Sequence, residues 1–516
     1  MEEKRTRICV PVCVSKLSEL EPAMIRAAQV GDIIELRLDC LTESELDVVK
    51  YNFRALSRKS TRPVIVTLRP AEEGGQRDLD KKTRGRFWFQ QRSKLRHFNG
   101  YYGDIELGAG QGLSRSDVIF DQLDWESIIC SYHDFTQVPA DLEKIYERIA
   151  ATKARISKIA VRANDITDCL PVLRLLDRAR NEGREMIAIA MGEAGLLTRI
   201  LGPSRGAFLT YGSLDNDKAT APGQISAAEL RDLYRIRTID EQTEIMGLVG
   251  QHVMHSVSPH MHNHAFAASG LNSVYIPFEV RALDNFVRRM VHPRTRELEW
   301  NLRGLSITAP HKRAIMQHLD WIDPIAVEIG AVNTVVISDE GIYGYNTDAL
   351  AILAPLHGQI DLDCARVAVI GAGGAARSLL WSLRKAGAHV TVFARDVERG
   401  ELTAGQFGAE CTALADADFD GFEIVINTTP LGTRGLSEDE SPAIGSQLRG
   451  VRIAYDLVYN PLETRFMREA TEAGCQCIGG LQMLVAQAAE QFKLWTGRDA
   501  PLEVMRDAAL KALERN

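Results

Sequence analysis

The chain has 516 residues, 45% of them apolar and 25% charged, with a formal net charge of −8 and a pI near 5.9. That length has room for roughly two to four domains. The acidic balance and the lack of a basic stripe exclude a protein held to nucleic acid by charge, and no apolar run approaches the ~20 residues that span a bilayer. Nine cysteines are scattered along the chain, the nearest pair being Cys475 and Cys477. With no Cys-x-x-Cys or Cys/His spacing, they read as reduced thiols of a cytoplasmic protein, with neither disulfides nor zinc. The first strand-like run begins at residue 8, so no signal or transit peptide is expected.

From residue 8 to about 235, short β-branched runs alternate with amphipathic segments. Strands are predicted at residues 8–14, 33–38, 64–68, 101–107, 128–132, 158–161, 186–190 and 207–211. Between them lie helix-like stretches such as 141–152 and 167–181, in which Leu, Ile and Val recur at three- and four-residue spacing. Eight such units fit one (β/α)8 barrel better than an open sheet, and a barrel keeps its chemistry at the C-terminal strand ends. Charged residues collect there: Glu35 and Arg37 on strand two, Arg69 after strand three with Glu73 in its loop, His133 on strand five, Arg199 after strand seven, and Thr220 and Gln224 after strand eight. Any one of them could be a solvated rim residue or a structural ion pair. Lys158 is different, because a lysine inside an apolar strand must be neutralised or paired, and a desolvated amine is a carbonyl nucleophile.

The motifs Glu35-x-Arg37-x-Asp39, Arg69-x-Ala71-x-Glu73-Gly-Gly, Ser131-Tyr-His133-Asp-Phe, Ser157-Lys158-Ile and Ala221-Pro-Gly-Gln224 stand in an order that resembles type I 3-dehydroquinate dehydratase. The resemblance implies that Lys158 forms a Schiff base with the ketone of 3-dehydroquinate. It implies that His133 moves the protons, with Glu73 positioning it, and that Glu35, Arg37, Arg69, Arg199, Thr220 and Gln224 hold the substrate. Thr220 stands where many family members carry serine, which keeps the hydroxyl.

The second half opens with a strand at residues 245–249, then His255-Ser256-Val-Ser258-Pro259. Ser258-Pro259 reads as an N-cap followed by Pro at the first helical position, and such a helix N-terminus with two hydroxyls also suits a carboxylate. Histidines 255, 260, 262 and 264 admit a metal reading, but no acidic or cysteine partner completes a ligand pattern, so no metal is expected. Thr308-x-Pro310-His-Lys312, Gly330-Ala-Val-Asn333-Thr and Gly344-Tyr-Asn-Thr-Asp348 place a lysine, an amide and a carboxylate on short polar loops, a set able to move a proton on a hydroxyl. Then comes a strand at 364–370, the turn Gly371-Ala372-Gly373-Gly374-Ala375 and a helix at 377–386, the order that a dinucleotide-binding unit requires. The next strand, 390–393, is followed by Arg395, Asp396 and Arg399. Arginine there favours the 2′-phosphate of NADP, an acid the ribose diol of NAD.

These motifs resemble shikimate dehydrogenase from residue 245 to the C-terminus. The resemblance implies that Lys312 and Asp348 handle the proton, and that Ser256, Ser258, Thr308, Asn333, Tyr459, Gln487 and Gln491 contact 3-dehydroshikimate or shikimate. It implies a cofactor site of Gly371, Ala372, Gly373, Gly374, Ala375, Arg395, Arg399, Asn427, Leu457 and Gly480. NADP is the expected cofactor, with NAD as a secondary one because of Asp396. The expected architecture is α/β throughout, an N-terminal (β/α)8 barrel fused to a two-lobed α/β dehydrogenase with a Rossmann lobe. Its domains are 1–238 (dehydratase), 244–348 completed by 479–516 (substrate lobe) and 349–478 (NADP lobe). A quinate-preferring dehydrogenase half is one competing reading. A ligand-sensing regulator on the same domains is another, and it predicts loss of catalytic groups that are all present here. No nucleic-acid or membrane partner is expected, and oligomeric state stays open.

Overall fold

The computed structural model describes residues 6–91, 93–108, 123–215 and 220–515. The chain divides into two compact units, Met1–Thr243 with Phe278–Ala282, and Glu244–Pro277 with Leu283–Asn516.

The first unit is built on eight parallel strands: β1 (Ile8–Val12), β2 (Ile33–Arg37), β3 (Val64–Thr67), β4 (Tyr101–Glu106), β5 (Ile128–Asp134), β6 (Ile156–Arg162), β7 (Glu185–Met191) and β8 (Thr210–Tyr211). Their spatial order is β7-β6-β5-β4-β3-β2-β1-β8. The ring closes where Ala207 bridges Met186 of β7 in parallel, so the expected barrel is present. The run expected at 158–161 extends to seven residues in β6 because strands on both sides supply ladder bonds. The last strand shrinks to two residues, paired only through Ile8↔Thr210 and Cys9↔Tyr211. The barrel floor is a layer of fully buried side chains, Cys9, Ile65, Ile129, Ile156 and Ile187, with Ile33 3% exposed. Each large aliphatic among them contributes about 1.5–3 kcal/mol by leaving water. The connection after β4 includes residues 109–122, which lie outside the described residues.

One expectation is corrected. Cys13 and Cys40 form a disulfide across 27 residues. The sequence spacing hides the pair, but adjacent parallel strands β1 and β2 end side by side and bring the two α-carbons to 5.4 Å. The other seven cysteines are free.

The second unit holds two six-stranded sheets. The first is mixed, in the order β10 (Ser273–Glu279), β9 (Glu244–Gly250), β11 (Leu302–Ile307), β13 (Thr334–Ile337), β14 (Ile342–Tyr345), β12 (Trp321–Ile322). Its core draws on helix Ser258–Ala268 and on the last two helices, Leu481–Thr496 and Leu502–Arg515, through Met261, Phe266, Phe492 and Met505. Ser258 proves to be the first residue of its helix, with Val257 at the cap position. Ser256 Oγ accepts the Ser258 N–H instead, at 3.2 Å. The second sheet is parallel throughout, in the order β17 (Glu410–Ala413), β16 (His389–Ala394), β15 (Arg366–Ile370), β18 (Ile424–Asn427), β19 (Ile453–Asp456), β20 (Gln476–Ile478). Two separate apolar cores, one containing Val367 and Leu379, the other Ile370 and Phe466, flank it as a doubly wound sheet requires. Among the described residues no helix is long and apolar enough to cross a membrane.

Candidate active sites

Nine residues singled out in the first half, Glu35, Arg37, Arg69, Glu73, His133, Lys158, Arg199, Thr220 and Gln224, line one pocket at the C-terminal end of the barrel strands. The alternation of a strand puts Lys158 inward from the middle of β6, where it is 5% exposed. Its Nζ donates to Asp104 Oδ2 at 2.7 Å and to the Tyr211 hydroxyl at 3.0 Å, with Glu35 Oε1 at 3.8 Å. Burial opposes the ionisation of Asp104, but the charges of Arg69 and Lys158 overcome it and hold the carboxyl well below its ordinary range.

The three arginines differ. Arg37 is locked bidentate on Asp39, at 2.9 and 2.8 Å. Arg69 is held by Asp104 at 2.8 Å, Glu106 at 3.1 Å and Ser131 at 2.9 Å. Arg199 is 1% exposed and donates from Nη1 to the Tyr211 carbonyl at 3.3 Å, while its Nε and Nη2 have no partner among the described residues. Burial lowers its guanidinium to about 10. A buried cation with two unpaired donors, on a residue that lines the pocket, suits an anion, and the fork geometry suits a carboxylate.

His133 Nδ1 lies 3.0 Å from Glu73 Oε2. Burial, then the charges of Arg69 and Lys158, push the imidazole well below its usual value, while burial raises Glu73 to about 8. At neutral pH the pair therefore holds one proton between two groups. Thr220 and Gln224 close on each other, the Gln224 Oε1 accepting the Thr220 N–H at 2.9 Å and its hydroxyl at 3.2 Å. Sequence reasoning missed Asp104 and Tyr211. The parity of Asp104 and Glu106 on one apolar strand was the available signal for the first; nothing local marks the second.

In the second unit a hydrogen-bonded chain joins most of the predicted residues. Ser256 donates to the Ser258 hydroxyl at 3.1 Å, and the Tyr459 hydroxyl interacts with Ser256. Tyr275 donates to Ser306 at 2.7 Å, and Ser306 donates to Gln491 Oε1 at 2.8 Å. The Gln491 amide donates to Thr334 Oγ1 at 3.1 Å. Asn333 donates to Asp348 Oδ1 at 2.8 Å, and Lys312 Nζ meets Asp348 Oδ2 at 2.5 Å. Gln491 is thus buried and engaged at both ends of its amide, a brace behind Asn333. Gln487, one turn earlier, is tied to Leu484 O at 3.0 Å, and Thr308 is half-buried after β11. Ser306 and Tyr275 were missed because neither stands in a recognisable motif.

The turn from β15 into helix Gly374–Lys385 fits a dinucleotide. Gly371 has φ +110°, which only glycine adopts without strain, and a Cβ on Gly373 would project into open space. At Gly374 a Cβ would stand 3.1 Å from Lys312 Cδ, so the turn lies against the lysine. Ala372 and Ala375 are partly exposed in the same turn, and Arg395 and Arg399 are exposed beyond β16. The Asp396 carboxylate caps helix Val397–Gly405 by accepting the Arg399 N–H at 3.2 Å. Asn427 is fully buried, its amide engaged with Asp456 at 2.9 Å and Thr429 at 2.6 Å, so it shapes the following turn. Leu457 and Gly480 are adjacent, a Cβ on Gly480 falling 2.4 Å from Leu457 O. Among the described residues no group of three or more His, Cys, Asp or Glu is placed to hold a metal. His262 is instead buried against the rings of Tyr275 at 4.4 Å and Trp495 at 5.2 Å.

Fold and sites define a chain of two enzymes, a (β/α)8 barrel around a buried lysine and a two-lobed α/β dehydrogenase. Family models match accordingly: type I 3-dehydroquinase over residues 8–241, the shikimate dehydrogenase substrate binding domain over 248–335, an NAD(P)-binding model over 359–435 and the shikimate 5′-dehydrogenase C-terminal domain over 480–510. The bifunctional 3-dehydroquinate dehydratase/shikimate dehydrogenase of Arabidopsis thaliana, a chloroplastic protein by its name, is 34% identical over 96% of this chain and 83% of its own length. The NADP(+) shikimate dehydrogenase of Moorella thermoacetica is 42% identical over 52% of this chain and 92% of its own. A crystal structure of shikimate 5-dehydrogenase from Thermus thermophilus with NADP(H) and shikimate superposes with a TM-score of 0.47 at 36% identity, over 52% of this chain and 99% of that one. The chain belongs to the family of bifunctional 3-dehydroquinate dehydratases/shikimate dehydrogenases.

Proposed function

We propose that residues 1–238 convert 3-dehydroquinate to 3-dehydroshikimate through an imine on Lys158, and that the remainder reduces that product to shikimate with NADPH. The observation that carries this is the gathering of Lys158, the Glu73–His133 pair and the unpaired Arg199 in one pocket.

In the barrel, the substrate carboxylate takes the open donors of Arg199. Once deprotonated, the Lys158 amine adds to the ketone, the carbonyl π pair moving to oxygen and the surplus proton passing from nitrogen to that oxygen. The Glu73–His133 pair then protonates this hydroxyl, which leaves as water, and an iminium remains. The iminium draws electrons from the neighbouring carbon, so the imidazole, now free, removes its proton. The same proton goes to the tertiary hydroxyl, which departs as water, and addition of water to the iminium releases product and amine while the remaining proton returns to the Glu73–His133 pair. The low basicity of the buried imidazole suits a group that must both take and return a proton.

In the second unit, residues 244–348 with 479–516 form the substrate lobe and 349–478 the cofactor lobe. Ser256, Ser258 and Tyr459 hold the carboxylate; Thr308, Asn333 and Gln487 hold the ring hydroxyls. Bound NADPH supplies a hydride. Lys312 delivers a proton to the carbonyl oxygen, and Asp348, oriented by Asn333, holds the lysine in place and shares its charge. Gly371–Ala375 receive the pyrophosphate, Arg395 and Arg399 the 2′-phosphate, and Leu457 and Gly480 border the nicotinamide. NAD serves as a secondary cofactor, since Asp396 lies between the arginines.

The test supplies 3-dehydroquinate with NADPH to the purified protein and follows absorbance of the cofactor. Oxidation with shikimate as product is the expected result. Silence with 3-dehydroquinate but a response to 3-dehydroshikimate would refute the barrel assignment.

A further inference from the structure

Tyr211 ends β8 at 6% exposure and points into the barrel pocket. A phenol in a dry site is unfavourable unless its hydroxyl is bonded, whereas an apolar residue would fill the same space without that requirement. Its partner is Lys158: Nζ donates to the Tyr211 oxygen at 3.0 Å and to Asp104 at 2.7 Å. On the other side, the hydroxyl interacts with the buried thiol of Cys9, which faces Tyr211 across the β1–β8 register. The Tyr211 oxygen is thus within acceptor reach of Nζ, with the Cys9 thiol beside it. The main-chain carbonyl of the same residue receives Arg199 Nη1 at 3.3 Å. One residue thus touches both the amine and the anion-binding guanidinium.

We propose that Tyr211 is a positioning residue for the nucleophile: its hydroxyl and Asp104 each accept one N–H of the Lys158 amine, so that the lone pair is left in the third tetrahedral direction, toward the bound ketone. An amine held by Asp104 alone can turn about its Cε–Nζ bond and aim the lone pair elsewhere, and misorientation lowers the frequency of productive attack. The step served is carbinolamine formation, in which the nitrogen lone pair forms the bond to carbon, the carbonyl π pair moves to oxygen, and the nitrogen proton passes to that oxygen. The inference rests on Lys158 being the nucleophile.

Tyr211→Phe removes one oxygen and keeps the ring and the carbonyl that holds Arg199. The probe is 3-dehydroquinate with borohydride in a quenched single turnover, the adduct on Lys158 being counted by mass spectrometry, alongside steady-state kcat and KM. Tyr211→Met, which also lacks the hydroxyl, serves if the first variant does not fold. The expected result is an adduct forming about tenfold more slowly, a matching fall in kcat, and KM within about twofold of the parent value. An adduct rate within about twofold of the parent, or a loss carried entirely by KM, overturns the proposal. Failure of the parent protein to give any adduct would instead refute Lys158 as the nucleophile, so the two outcomes are separable.

Discussion

Glu73 Oε2 and His133 Nδ1 stand 3.0 Å apart in a pocket that raises the carboxyl to about 8 and depresses the imidazole. The carboxyl is thus protonated at neutral pH and donates to the ring. Because its folded value lies above the ordinary one, the proton is present below about 8 and is lost as pH rises through it. Dehydratase kcat/KM is expected to fall along that alkaline limb. Glu73→Gln keeps a donor to Nδ1 that cannot titrate, so the limb should vanish, with a rate loss on the order of tenfold to a hundredfold. A pH profile of both proteins checks this.

Among the described residues no carboxylate forms an ion pair with Arg199. Arg199→Met is expected to raise the dehydratase KM by about a hundredfold, the loss of a charged bidentate contact. It should also stabilise the fold by about 1–3 kcal/mol, since an uncompensated buried charge disappears. Urea unfolding and steady-state kinetics on one preparation test both signs.

The two lysines should act separately. Lys158→Ala is expected to abolish dehydration and leave reduction of 3-dehydroshikimate intact, while Lys312→Ala should slow reduction by at least about a hundredfold and spare dehydration. Parallel assays of the two half-reactions decide it, and loss of both activities from either change contradicts two independent sites.

Asp396 places a negative charge between Arg395 and Arg399 while capping its helix. Asp396→Thr retains a capping oxygen and removes the charge. The ratio of kcat/KM for NADPH over NADH should rise about tenfold with little change in thermal stability. An unchanged ratio would show that the carboxylate does not sense the phosphate.

Much of this molecule was written locally. The β-branched runs that became β1 to β8 and the glycine turn after β15 follow from side-chain alternation and backbone freedom, so element types and order could be read directly, with edges off by at most three residues. Motif spacing likewise placed Lys158 and His133 on barrel strands and Lys312 and Asp348 just after strands of the second unit, because those positions are set by the elements on either side.

Sequence alone therefore determined the two-part architecture, the family resemblance and the candidate residues. Only the tertiary structure decided which of them are already paired. Arg37 and Arg69 are paired with carboxylates, Arg199 meets no carboxylate among the described residues, and Asn427 is engaged with Asp456 and Thr429. Cys13 finds Cys40, and Lys158 is cradled by Asp104, 54 residues away, and Tyr211, 53 away. Such pairings depend on which strands become neighbours and on the low-dielectric interior they enclose, where a single well-placed partner changes the state of a charge. Local patterning carries no record of distances through space.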